Sequence, residues 1–348
     1  MLRKTKEPFM NPVLYISNKI NQKAKTKLKI ATFATHESYQ EAMAKTGHDF
    51  YIIEPPGGKT WEPKYRKLPQ NCTLIGSFFE VPYDTDLLLS QERYAQLQNM
   101  KSFSNISRIP LIHLDHVEPY GDKTTIEQAK VLQADIHVFI SEHNKTTWGN
   151  RDGRVIKHGI NTDIFSGWVP TKNKMVIYTV NFLKERDVFC GWQEWEQIKA
   201  YVNNIDPQIE FKLIGNNPGI SETISDPIEL CKAINEASCY LNTSKYSPVP
   251  MSLLEAMSCG IPVISTRHQE VAKILNDGNS ISSNQIGVLG DAIISVCNNQ
   301  DSHSGIGVQA RKFIEQNYSL DSFVSNWNDL FEEARKLKLG TVNEILSI

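Results

Sequence analysis

SKYSPVPMSLLEAMSCGIPVIST, residues 244–266, is the stretch whose reading decides the fold. Its middle, from Met251 to Cys259, has the composition of a helix, and Gly260 is the residue that stops it. The apolar run Ile261-Pro262-Val263-Ile264-Ser265 then has strand character, so the stretch reads as helix, stop and strand. Pro248 and Pro250 restrict the backbone just ahead of the helix and bring the amides of Met251 and Ser252 to its open N-terminus. Unpaired N–H donors and the positive end of the helix dipole suit a phosphate or a sugar hydroxyl there.

Glu255 reads in two ways. Ser252-x-x-Glu255 is a capping-box pattern, in which both side chains satisfy backbone donors of the first turn. The run Ala256-Met257-Ser258-Cys259-Gly260-Ile261-Pro262-Val263 that follows is longer than capping requires, and the whole resembles the nucleotide-sugar stretch of GT-B glycosyltransferases of the family 4-like group, glycosyl transferases group 1. That resemblance implies that Glu255 binds the ribose of a donor nucleotide. The backbone and side chains of Ser247, Val249, Pro250, Met251, Ser252 and Leu254 would then form the rest of the donor site. Ser247-Pro248-Val249 stands where the family carries Glu-Gly-Phe, so the donor sugar stays open.

With 348 residues, 40% hydrophobic and 22% charged, the chain has room for two domains with cores of their own. It contains no apolar run long enough for a membrane span, and its first residues lack the apolar core of a secretion signal. The six cysteines are scattered without a Cys-x-x-Cys pair, which fits reduced thiols in a cytoplasmic protein better than a disulfide frame or zinc site. Residues 1–27 carry seven basic side chains against Glu7, whereas the remainder is acidic. A basic end of this kind is most simply a solvated, poorly ordered tail, and attachment at a membrane surface or to nucleic acid is its other reading.

Further along the chain, Leu28 to Phe33, a helical stretch near Ser38 to Lys45, Gly47 and a strand at Phe50 to Ile53 form a βαβ unit with parallel strands. His36 and Glu37 leave the carboxyl end of the first strand, which places them either on the acceptor side of a cleft or in the cap of the next helix. The Pro- and Trp-containing loop from Pro55 to Pro69 is long enough to be an acceptor flap. Asp84-Thr85-Asp86 precedes the apolar run Leu87 to Leu89 and reads as a turn before a strand, so no metal is assigned. A strand through Leu111 to Leu114 delivers Asp115 and His116 to its end and puts His113 and Asp115 on one face. By resemblance, His116 first and His113 second lie near the transferred sugar. His158 to Phe165 resembles the segment that closes the first domain, and Phe211 to Pro218 the strand and glycine turn of Gly215.

The family holds the donor diphosphate with an arginine and a lysine after the first strand of the second domain, where this chain has Phe182 and Asp187. Lys184 or Arg186 is the substitute expected, with a solvated charge cluster as the alternative. The resemblance therefore implies an α/β fold of two Rossmann-like domains facing a cleft, with first and second domains at 28–165 and 175–309. A C-terminal helix at 310–337 would cross back to the first domain. The implied activity is retaining transfer of a sugar from a nucleoside diphosphate-sugar to a hydroxyl, without a cofactor. A carbohydrate acceptor is favoured and nucleic acid is the runner-up. A GT-B epimerase and a non-catalytic GT-B protein are the rival classes.

Overall fold

The computed structural model describes residues 27–346 apart from 247–248, 269 and 277, with side chains of the last helix described as far as 337. The basic segment 1–26 and Ser247 therefore lie outside the described residues. The first sheet consists of β1 (Lys29–Phe33), β2 (Asp49–Ile53), β3 (Cys72–Ile75), β4 (Leu87–Ser90), β5 (Leu111–Asp115), β6 (Ile136–Phe139) and β7 (Arg154–Val155). Its strands run in the order β3-β2-β1-β4-β5-β6-β7, each pair parallel. The second sheet has β8 (Met175–Thr179), β9 (Glu210–Ile214), β10 (Cys239–Asn242), β11 (Val263–Ser265) and β12 (Ile281–Ser282). Their order is β12-β11-β10-β8-β9, again parallel throughout. Inner strands such as Leu87–Ser90 and Met175–Thr179 are buried at every position, because parallel strands covered on both faces need largely apolar runs.

Each sheet reverses its strand order once. The reversal falls between β1 and β4 in the first sheet and between β8 and β10 in the second. Loops leaving the carboxyl ends of such neighbouring strands diverge, and the crevice between them is where open α/β sheets bind ligands. This topology puts the segments after β1, β4, β8 and β10 around the site.

The deciding stretch folds as helix Met251–Cys259, Gly260 and strand β11. Gly260 adopts φ 85°, a left-handed geometry that ends the helix and favours a residue without Cβ. Every side chain from Leu253 to Cys259 is buried, so the helix is a core element with only its first turn open to the cleft.

One expectation changes at the C-terminus. The helix expected at 310–337 is instead divided between Gln300–Asn317 and Leu320–Leu346. At the break, the Ile160 amide donates to the Tyr318 carbonyl at 2.8 Å and the Leu320 amide to the Ile160 carbonyl at 3.1 Å. Backbone groups lost to the helix are thus satisfied by the segment that closes the first domain. Beyond the break, Phe323, Trp327, Leu330 and Phe331 are buried. Trp327 Nε1 donates to the Tyr39 hydroxyl at 3.2 Å, and Phe331 packs edge-on to His48 with ring centres 5.5 Å apart. No helix among the described residues is long and apolar enough to cross a membrane.

Candidate active site

A cleft of about 590 Å³ lies between the two sheets and is lined from both. That volume is in the range of small-molecule sites. From the first domain come Thr35, His36, Tyr65, Arg66, Gln91, Arg93, His116 and His158. From the second come Val180, Asn181, Arg186, Gly215, Ser244, Tyr246 and the start of the central helix at Val249, Pro250, Met251, Ser252 and Glu255.

Glu255 is not a cap. Pro250 is the N-cap, no side chain caps the helix, and Glu255 comes more than a turn into it. Its carboxylate is buried and accepts from Arg66 of the first domain at 3.3 Å. Burial pushes its pKa up to about 7, with Arg66 opposing the rise. The helix start is held close to the first domain by His158, whose Nε2 donates to the Val249 carbonyl at 3.2 Å. Burial lowers the His158 pKa to about 4, so this imidazole is neutral near pH 7.

The loops after β8 and β9 are tied together around a glycine that no other residue replaces. A Cβ at Gly215 would come within 2.0 Å of the Val180 carbonyl oxygen, and its φ is 135°. The Asn217 amide donates to the Val180 carbonyl at 2.9 Å, and its oxygen accepts from the Leu183 amide at 2.7 Å. Arg186 emerges from this frame into the cleft, with no carboxylate within ion-pair distance among the described residues. Lys184 does not line the cleft: it is exposed, with Nζ 5.9 Å from the Trp192 ring centre. Of these two cations, Arg186 is the one that lines the cleft.

On the opposite wall, His116 Nε2 is 3.1 Å from Gln91 Oε1, and its ring stacks on His36 at 5.6 Å. Enclosure in the wall, followed by the nearby His36, holds its pKa well below the ordinary range. His36 is a helix cap that also faces the cleft. It caps helix Glu37–Ala44, accepting from the Tyr39 amide at 3.3 Å.

Other expected residues face away. His113 is fully buried and its Nε2 lies 3.1 Å from Asp115 Oδ1, because the strand face it shares with Asp115 turns into the domain interior. Both Asp115 oxygens are held by Arg93, one at 2.9 Å from Nε, and this buried ion pair reaches the wall of the cleft. Burial alone would raise the Asp115 pKa, but His113 and Arg93 bring it below its ordinary value. Glu37 is turned inward and paired with Lys59 at 3.4 Å. The Leu254 side chain lies wholly in the core of the second domain. Asp84 pairs with Lys29 Nζ at 2.8 Å and Asp86 accepts from the Lys29 amide at 3.0 Å, in the turn expected before β4. Among the described residues, no three His, Cys, Asp or Glu side chains are grouped to hold a metal ion.

Tyr65 and Arg66 are cleft residues that the sequence reading did not single out. They belong to the Pro- and Trp-containing loop expected as an acceptor flap, and both reach residues of the second domain. The Tyr65 hydroxyl accepts from Asn216 Nδ2 at 2.8 Å, beside Gly215. The length of that loop was the available signal. Its contact partners lie 151 and 189 residues away, beyond any local pattern.

Comparison with known proteins agrees with this geometry. The model of the family described as Glycosyl transferases group 1 matches residues 184–313. N-acetyl-alpha-D-glucosaminyl L-malate synthase of Bacillus anthracis is 21% identical over 234 residues, 59% of this chain and 60% of that protein. Poly(glycerol-phosphate) alpha-glucosyltransferase of Bacillus subtilis (strain 168) is 28% identical over 145 residues, 40% of this chain and 20% of that one. The matches thus span less than two thirds of either relative. Among solved structures, Anabaena HepE in complex with UDP-glucose superposes with a TM-score of 0.71 at 16% identity, covering 88% of this chain and 100% of that one. Sucrose-phosphate synthase from Thermosynechococcus elongatus gives 0.68 at 14% identity, covering 88% and 99%. The chain has the GT-B fold, and residues 184–313 of its second domain match the model of the glycosyl transferases group 1.

Proposed function

We propose that this protein transfers a sugar from a uridine diphosphate-sugar to a hydroxyl of a carbohydrate or other small acceptor, with retention of configuration. The observation that carries the reading is Glu255, a buried carboxylate that faces a cleft built on two switch points, in the second turn of a helix whose start opens to that cleft. A carboxylate so placed accepts hydrogen bonds from a pair of ribose hydroxyls, and such charge-assisted bonds are strong. The open helix end and Arg186 offer the diphosphate its donors and its positive charge. The choice of uridine draws on the UDP and UDP-glucose complexes of HepE, and retention on the α-linked products named for both curated relatives.

In the reaction, the bond between the anomeric carbon and the diphosphate oxygen breaks while the acceptor oxygen bonds to that carbon. The acceptor proton passes to the departing phosphate. Arg186 and the amides at Met251 and Ser252 stabilise the charge that grows on the leaving group. His116, neutral and fixed by Gln91, lies across the cleft as a hydrogen-bonding partner for the sugar. Catalysis then rests on placement and electrostatics, and in this proposal no metal carries the diphosphate charge.

The test is product analysis. Incubation with UDP-glucose or UDP-N-acetylglucosamine and a panel of sugar and polyol acceptors should release UDP only with an acceptor, giving an α-linked product by NMR. Free isomerised sugar without acceptor would assign the protein to the epimerases. UDP binding without turnover of any donor would mark it as non-catalytic.

A further inference from the structure

Arg66 is buried, as is its partner Glu255, and the two belong to different domains. Its guanidinium has three anchors: Nη2 donates to Glu255 Oε1 at 3.3 Å, Nε to Glu41 Oε2 at 3.0 Å, and Nη1 to the Tyr65 carbonyl at 2.9 Å. The backbone beneath it is pinned as well, since Trp61 Nε1 donates to the Arg66 carbonyl at 3.0 Å. Two of the three anchors lie within the first domain, so the guanidinium keeps its place whether or not Glu255 takes on other partners.

The surroundings of Glu255 offer it little else. Arg66 and Glu41 face it from the first domain, Cys231 from helix Pro227–Asn235 and Tyr240 from β10, with Cys259 on its own helix. Arg66 is the cation of this group. Without it, burial and the Glu41 carboxylate would both favour the protonated form of Glu255 near neutral pH, and a protonated acid is a poor acceptor for two hydroxyls.

We infer that Arg66, supplied across the cleft by the first domain, is a positioning residue of the donor site that favours the carboxylate form of Glu255 and aims it at the ribose. This inference rests on the proposed role of Glu255 and adds a partner from the opposite domain. The donor site is then complete only when the two domains are closed, and donor affinity is coupled to their approach. The second bridge of the same loop, Tyr65 to Asn216, holds the same closed arrangement.

The test is calorimetric titration of UDP into wild type, Arg66→Ala, Arg66→Lys and Glu255→Ala between pH 6.5 and 9. Ionisation of UDP is common to all, so each variant is read as a ratio to wild type. Arg66→Ala should bind UDP about tenfold more weakly at pH 7, approaching wild type as the pH rises and Glu255 ionises unaided. Arg66→Lys should recover most of the loss at pH 7. A deficit in Arg66→Ala that is uniform across pH would overturn the inference, because a merely structural role gives that result. Tighter binding by Arg66→Ala would also overturn it, by showing that Arg66 occupies Glu255 as a latch the donor must break. If Glu255→Ala binds UDP as wild type does, the reading beneath the inference fails and both fall. If Glu255→Ala is weak while the Arg66→Ala ratio does not change with pH, the inference alone fails.

Discussion

Glu255→Gln should make the protein more stable while it weakens donor binding. The carboxyl ordinarily titrates near 4.5 and burial pushes it up to about 7 in the fold. The folded chain therefore binds a proton more readily than the unfolded chain between those two pH values. The stability associated with that proton is fully present below about pH 4.5 and is lost as the pH rises through about 7. At ~1.36 kcal/mol per tenfold in acidity constant, ionised Glu255 costs the fold about 3 kcal/mol at pH 8. Glutamine mimics the neutral acid and its oxygen still accepts from Arg66, so the variant should recover most of that cost. Unfolding entropy of ~2.1 cal/mol/K per residue over the 348 residues turns this into a rise of about 4 °C in Tm if the chain melts as one unit. Differential scanning calorimetry at pH 8 and pH 5 provides the assay, and the gain should shrink towards the lower pH. A Tm below wild type at pH 8 would refute the reasoning, because the carboxylate would then be stabilising the fold.

Other outcomes follow from the same geometry. Arg186→Ala should lower kcat on the donor by about a hundredfold, as for loss of one charge-stabilising group, while Lys184→Ala leaves it nearly unchanged; steady-state kinetics on both variants checks this, and equal losses would disprove the assignment. Turnover should persist in excess EDTA, measured by UDP release, and a loss restored by magnesium or manganese would show that a metal carries the diphosphate charge. Deleting residues 1–26 should leave turnover on a soluble acceptor nearly unchanged. A large, salt-dependent loss on nucleic acid after that deletion would reinstate nucleic acid as the acceptor.

The helix, stop and strand of the central stretch were legible because their signals are local. Gly260 takes the left-handed geometry that its residue type allows, and Val263 to Ser265 pair at the next position of a buried sheet. The turn at Asp84 to Asp86 was legible for the same reason. His113 was not, because alternation along β5 places it on a face without saying what covers that face, and the cover is Arg93 from another loop. Similarly, nothing near residues 318–319 announces a break that depends on pairing with Ile160. Arg66 is the extreme case. Its long loop is visible in the sequence, but its partner lies in the other domain, 189 residues away.

The central question is whether the cleft holds a nucleoside diphosphate through Glu255. Isothermal titration of UDP into wild type and Glu255→Ala at pH 8, with circular dichroism to confirm that both are folded, measures this directly. Saturable binding by wild type that is lost in the variant is the expected result. Binding of equal strength in both, or none in wild type, would contradict it.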